Sequence, residues 1–314
     1  MINNTSLISV VIPVYNEEDN ISSLHTEIVD VCEKNNYDYE IIIVDDGSDD
    51  STGAVARKLS PATYIRMRRN FGQTSALDCG IKHSSGRYIV TLDGDGQNDP
   101  ADIPRLIEYL EENNLDLVSG WRKERKDPIF KRLSSRIAAL LRRLIIHDNL
   151  HDSGCTLKVY KAECFEGISL FGEMHRFIPG VLRIKGFNVG ELEVNHRRRQ
   201  SGKTKYNWQR GIKGFLDMIG VWFWHKYAVR PLHLLGGIGA LLFFAGTLTS
   251  ITGICFYFMG IQLFRFFLPV LSSFLLTSGM QIFLFGLIAD MLAKNYFQST
   301  PDTPYSVAEI KNNQ

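Results

Sequence analysis

The sequence predicts an α/β chain in two parts: a doubly wound sheet domain, then amphipathic interfacial helices leading into a two-helix transmembrane hairpin. Three observations predict it. Short β-branched apolar runs alternate with helical patterns from Leu7 to Ser119. Charge is spread up to Arg230 and then vanishes between Leu232 and Ala289, with Arg265 as the exception. Between these regions lie two stretches that are both basic and amphipathic.

The elements follow in order. Leu7–Pro13 (LISVVIP) reads as a strand, Glu18–Asn35 as a helix and Glu40–Val44 (EIIIV) as the second strand. Thr63–Met67, Tyr88–Leu92 and Asp116–Ser119 repeat the strand pattern, with helices expected at Thr74–His83 and Asp102–Asn113. Such alternation implies a parallel sheet, whose ligands bind beyond the carboxyl ends of the strands. The residues placed there are Tyr15-Asn16-Glu17, Asp45-Asp46-Gly47-Ser48 and Asp93-Gly94-Asp95-Gly96-Gln97.

Across 128–146, Ile129, Leu133, Ile137, Leu140 and Leu144 recur at helical spacing among Lys131, Arg132, Arg136, Arg142 and Arg143. That pattern suits equally a surface helix packed on the domain and one lying on an anionic membrane face. In 208–231, Trp208, Trp222, Trp224 and Tyr227 directly precede an apolar stretch, which favours a juxtamembrane interfacial helix. Gly236–Gly260 and Phe266–Ala289 carry no charged side chain, and each exceeds the ~20 residues that cross a bilayer core. Joined only by Ile261–Arg265, they form a hairpin within 232–293 whose flanks lie on one side of the membrane. Lys213, Lys226, Arg230 and Lys294 flank it while the link holds Arg265 alone, so the domain (1–207) and the tail (294–314) are expected in the cytoplasm.

A net charge of +1 gives no case for nucleic-acid binding by the whole chain, although Arg197, Arg198, Arg199, Lys203 and Lys205 form a local basic run. Five cysteines without CxxC spacing indicate neither a disulfide framework nor a zinc site, and fit a reducing compartment. The polar Met1–Leu7 stretch runs straight into a strand, so no signal peptide is expected.

Asp93-Gly94-Asp95 would place two carboxylates at a strand end with Gln97 just beyond, hard oxygen ligands suited to Mg²⁺ or Mn²⁺ on a diphosphate. Taken alone the triplet reads better as a solvated acidic turn, but it stands in an ordered set of motifs that reverses this. Pro13-Val14-Tyr15-Asn16-Glu17, Asp45-Asp46-Gly47-Ser48-Asp49-Asp50-Ser51-Thr52, Asn70-Phe71-Gly72-Gln73 and Asp93 to Gln97 occur in that sequence. They continue in Ser119-Gly120-Trp121-Arg122, Asp152-Ser153-Gly154-Cys155, His175-Arg176-Phe177-Ile178-Pro179 and Arg199-Gln200-Ser201-Gly202-Lys203-Thr204-Lys205-Tyr206. The whole, over residues 7–295, resembles the family 2 inverting glycosyltransferases of GT-A (Rossmann-like) fold. Its spacing is similar to that of the dolichyl-phosphate mannose synthase and bacterial undecaprenyl-phosphate branch.

The resemblance implies roles residue by residue. Pro13, Tyr15, Glu17 and Asp46 would hold base and ribose, with Gly72 and Gln73 close by. Asp93, Asp95 and Gln97 would hold the metal, and Arg199, Thr204 and Lys205 would meet phosphate oxygens. Gly94 and Gly96 replace the family's usual alanine and leucine and keep every ligand. Arg122, Arg199 and Lys205 are candidates to neutralise phosphates, whereas Arg197 and Arg198 read as a solvated or lipid-facing cluster. Asp152 is open between a turn cap and a catalytic acid beside the acceptor. His151 and His175 read as structural. The resemblance further implies a nucleotide-sugar donor, with a UDP-hexose first, a polyprenyl-phosphate acceptor, a bacterial inner-membrane location and self-association.

Two other readings compete. A processive polysaccharide synthase would carry Gln-x-x-Arg-Trp, and the nearest match, Gln262 to Phe266, lacks the tryptophan. A non-catalytic membrane scaffold with a nucleotide pocket would have little reason to keep Asp93, Asp95, Gln97, Arg199 and Lys205 together.

Overall fold

A computed structural model describes residues 7–123, 150–168, 170, 172, 174–197, 220, 223, 227, 230–259 and 266–299. The chain divides into two compact units, Met1–Val221 and Trp222–Gln314. The expected helix at 128–146, most of 208–231, the link 261–265 and the end of the tail lie outside the described residues.

The first unit is built on β1 (Ile8–Val14), whose seven residues are all buried. Its even and odd positions serve opposite faces, as strand geometry requires. Ile8, Val10, Ile12 and Val14 join one apolar cluster with α1 (Ile21–Lys34) and α4 (Ile103–Glu112). Val11 joins the other, with α3 (Gln73–Lys82) and α5 (Ile178–Ile184). Helices therefore cover both faces of the sheet, which is the doubly wound arrangement. The short α2 (Thr52–Ala56) follows β2 (Tyr39–Asp45).

Parallel pairing joins β1 to β2 and to β4 (Tyr88–Thr91), and β2 to β3 (Thr63–Arg66). The sheet has seven strands in the order β3-β2-β1-β4-β6-β5-β7 and is not parallel throughout. Unforeseen in the sequence, β6 (Lys158–Lys161) enters between β4 and β5 (Leu117–Trp121) and runs antiparallel to both. β7 (Val189–Glu193) then adds parallel to β5. The antiparallel insertion delivers the segment just before β6 to the edge where the parallel strands end.

The second unit contains α6 (Pro231–Phe258) and α7 (Phe267–Ser299). Their most apolar windows are only 17% buried, so these are not core helices of a soluble fold, and both are long enough to span a bilayer. They pack on each other through glycine. A Cβ on Gly239 would meet the Gly279 carbonyl oxygen and the Phe283 nitrogen at 2.7 Å, and one on Gly279 would meet the Phe243 nitrogen at 2.6 Å. Close backbone approach of this kind holds apolar helices together where water supplies no drive.

Candidate active site

The loops after β1, β2 and β4 converge in the first unit. After β1, Asn16 takes a positive φ of 58°, and its backbone N–H donates to Ser48 Oγ at 3.0 Å. Its side-chain oxygen accepts from Asp49 N at 2.9 Å, while Glu17 N donates to Thr52 Oγ1 at 2.8 Å. The Tyr15-Asn16-Glu17 turn and the acidic loop after β2 thus form one wall, with the Tyr15 hydroxyl 3.3 Å from Asp49 Oδ2.

Asp45 and Asp46 diverge in role. The Asp45 carboxylate accepts from Ser48 N at 2.7 Å and from the Tyr64 hydroxyl at 2.6 Å. Burial works to raise its pKa, but these hydrogen bonds and Arg66 outweigh it and the net shift is downward. Asp46 reaches the other way, accepting from the backbone N–H groups of Phe71 at 2.7 Å and Gly72 at 2.9 Å. Burial is the main cause of its raised pKa, with the Asp45 charge adding to it. Asp46 therefore pins the loop that starts α3, where Gly72 takes φ 95°.

That loop presents Gln73, whose Nε2 donates to Asp93 Oδ1 at 2.6 Å. Burial, then the neighbouring Asp95, pushes the Asp93 carboxyl up to about 6, against the pull of Thr156, Arg122 and Lys158. Asp95 Oδ1 accepts from Gln97 N at 3.1 Å. Gly94 is set by close approach, since a Cβ there would meet Val14 Cγ1 at 2.6 Å, and Gly96 takes φ 70°. Asn98 Nδ2 fastens the loop to Thr156 Oγ1 at 2.8 Å.

Arg197 corrects its expected role. Though partly exposed it is anchored, and its backbone N–H donates to the Gln97 carbonyl at 2.9 Å. Its guanidinium pairs with Glu27 at 2.5 Å and Asp99 at 2.8 Å. The chain that enters the basic run is thus fixed beside the Asp93–Gln97 loop. Arg198, Arg199, Thr204 and Lys205 lie outside the described residues.

Arg122 and Asp152, expected as separate groups, form one bidentate pair, with Nε to Oδ2 at 2.6 Å and Nη2 to Oδ1 at 2.9 Å. Their side chains are 12% and 11% exposed, so water screens the pair little. Although burial works to lower the Arg122 pKa, the hydrogen bond and charge of Asp152 outweigh it and hold the guanidinium ionised. The Asp152 side chain therefore holds Arg122. Glu191, which carried no sequence signal, secures that turn by accepting from His151 N at 2.9 Å and Asp152 N at 2.8 Å. His151 Nδ1 lies 2.8 Å from Glu191 Oε2, and its ring stacks on Trp121 at 4.5 Å.

A small cleft beside this centre is lined by Pro13, Gln73, Asp93, Lys158, Tyr160 and His175. His175 Nδ1 is 2.7 Å from Thr74 Oγ1. Lys158 was not anticipated, because a lysine within a short run carries no signal of burial.

Among the described residues, no three His, Cys, Asp or Glu side chains gather as a metal cage. Two carboxylates with a carboxamide two residues on nevertheless fit Mg²⁺ or Mn²⁺, which keep several waters and bind through one or two carboxylates plus substrate phosphates. The site thus offers a walled cleft at the carboxyl ends of β1, β2 and β4, hard oxygen ligands and a fixed ion pair.

Residues 9–168 match the family model described as Glycosyl transferase family 2. The dodecaprenyl-phosphate galacturonate synthase of Rhizobium johnstonii is 36% identical over 319 residues, covering 98% of this chain and 94% of the relative. The undecaprenyl-phosphate 4-deoxy-4-formamido-L-arabinose transferase of Serratia proteamaculans is 31% identical over 318 residues, with the same coverage of 98% and 94%. The fold is similar to that of glucosyl-3-phosphoglycerate synthase from Mycobacterium tuberculosis, solved with Mn²⁺, uridine diphosphate and glucosyl-3-phosphoglycerate. The TM-score is 0.55 at 20% identity, over 70% of this chain and 80% of that one.

Proposed function

The chain belongs to glycosyl transferase family 2, and from that premise we propose that it moves a sugar from a nucleoside diphosphate to a polyprenyl phosphate at a membrane surface. One observation carries the reading. Asp93, Asp95 and the Arg122–Asp152 pair meet at the carboxyl edge of the sheet, in a chain that also bears two candidate membrane spans. Two relatives alike over 98% of the chain are named for transfer to polyprenyl phosphates, which supports the acceptor.

In the reaction an oxygen of the acceptor phosphate attacks the sugar C1 with inversion. The bond from C1 to the diphosphate oxygen breaks, and its electron pair leaves with the nucleoside diphosphate. A phosphate monoester with a second pKa near ~6 is already ionised at neutral pH, so the site needs positive charge more than a base. The Tyr15–Glu17 turn and the Asp46-pinned loop would hold base and ribose. Asp93, Asp95 and Gln97 would hold Mg²⁺ or Mn²⁺. When bound, such an ion offsets charge on the departing diphosphate. Asp152 holds the Arg122 fork ready for phosphate oxygens, and Arg199, Thr204 and Lys205 would complete the anion site. The donor is a UDP-sugar, with hexose or hexuronate first, and the protein sits in a bacterial inner membrane with its catalytic unit in the cytoplasm. Self-association through the hairpin belongs to the same reading, and cross-linking in membranes reports it.

The test incubates membranes holding the full chain with a panel of labelled nucleotide sugars and undecaprenyl phosphate. Label extracted into organic solvent as a lipid-linked sugar is expected from at least one donor. No lipid-linked product from any donor would favour the scaffold, and polymeric product would favour the processive synthase.

A further inference from the structure

One buried charge at the centre of the site has no assigned task. Lys158 is 2% exposed, and its Nζ donates to the Cys155 carbonyl, which occupies one of its three N–H groups. Across the sheet, Thr91 of β4, Lys158 of β6, Ser119 of β5 and Glu191 of β7 stand in register. The Ser119 hydroxyl next to Lys158 is buried and has no hydrogen-bond partner among the described residues. Buried polar groups are normally satisfied, and a buried ammonium with unmet donors costs more than any neutral group. A hydroxyl without a partner beside an ammonium with N–H groups to spare indicates a polar ligand that completes them.

The surroundings name its chemistry. An ammonium only donates, so its partner must supply acceptor oxygen. Lys158 lines the cleft that Asp93 and Gln73 also line, and it feels the charges of Asp152, Arg122 and Asp93. Arg122, held by Asp152, is not among the residues that line this cleft. Lys158 is then the lysine or arginine that, among the described residues, lines this cleft with donors to spare. Resting on the assignment of the cleft to a nucleotide sugar, we propose that Lys158 binds an anionic oxygen of the donor, carried either by the diphosphate or by a carboxylate on the sugar. A hexuronate donor would present the second kind.

The experiment measures binding of UDP, UDP-glucose and UDP-glucuronate, with Mn²⁺ present, to the full-length protein in detergent and to Lys158→Met. Loss of about tenfold or more for all three ligands places the diphosphate on Lys158, and an equal loss for UDP-glucuronate alone places the sugar carboxylate there. Unchanged affinities in a variant that melts like the wild type overturn the proposal and leave Lys158 as an anchor for the Cys155 carbonyl. A wild-type protein that binds none of the three refutes the donor assignment itself, separately from Lys158. Should Lys158→Met not fold, a structure of the wild type with UDP or UDP-glucuronate decides instead. A ligand oxygen within ~3.5 Å of Nζ upholds the proposal, and none within that distance overturns it.

Discussion

Replacing Asp152 with asparagine keeps the shape of the side chain and removes its charge. The structure predicts that stability falls together with catalysis. Arg122 and Asp152 are nearly buried and joined by two short charge-assisted hydrogen bonds. Removing one member of such a pair leaves the other ionised and desolvated, at a cost of roughly 3–5 kcal/mol; an amide that still accepts one bond brings this to about 2–3 kcal/mol. For a domain of this size each kcal/mol shifts Tm by ~2–4 °C, so a fall of roughly 4–12 °C is expected. The assay is a thermal melt of detergent-purified protein, run beside transfer of labelled sugar to polyprenyl phosphate. A double-mutant cycle with Arg122→Met isolates the pair, because the two losses should overlap and the double variant should melt well above the additive value. A variant that melts like the wild type, or strict additivity in the cycle, would show that the two groups do not support each other. Asp152 would then act on substrate alone.

Three further outcomes are expected of the same structure. Asp95→Ala should abolish sugar transfer with Mg²⁺ or Mn²⁺ present while leaving the melt near that of the wild type, and wild-type turnover would remove Asp95 from the metal site. Gly279→Val should break the packing of α6 on α7, since a Cβ there meets backbone atoms that cannot yield, whereas Gly237→Ala, with nothing within 4 Å, should be neutral. Size-exclusion profiles and melts in detergent separate the two, and indistinguishable profiles would refute the close glycine contact. The acid limb of stability is the third. Because the folded Asp45 carboxyl lies below its unfolded value of ~3.9, its contribution is fully present above that value and is lost as pH falls through the folded pKa. Asp45→Asn should therefore flatten the stability curve below about pH 4, read by urea unfolding at a series of pH values; an unchanged slope there would count against the hydrogen-bonded carboxylate.

The fold was legible where local periodicity and tertiary position agree. β1 to β5 and the helices α1, α3 and α4 were readable because β-branched runs end in turn residues, while the five-residue α2 was missed; the same rule placed Tyr15, Asp46, Asp93 and Asp95 together at one edge. The two long apolar helices were legible from composition alone, since a bilayer span demands both length and the loss of charge. β6 and β7 were missed. Both are short, and β6 places a lysine at a fully buried position, the opposite of what burial statistics favour.

What pairing does to the site is a different kind of information. Gln73 is 20 residues from Asp93, Arg122 is 30 from Asp152, and Asp152 is 39 from Glu191, and each pair meets through a hydrogen bond that no period of 2 or 3.6 encodes. Motif order could single out Asp152 and Arg122 but not join them, because their meeting depends on β6 reversing direction between β4 and β5. The same reversal sets Ser119 and Glu191 in register with Lys158. An antiparallel strand inserted into a parallel sheet thus lines up the buried Lys158 and Ser119 with the half-buried Glu191. The role proposed for Lys158 rests on that burial, since solvated copies of the same residues on a surface loop would bind nothing in particular.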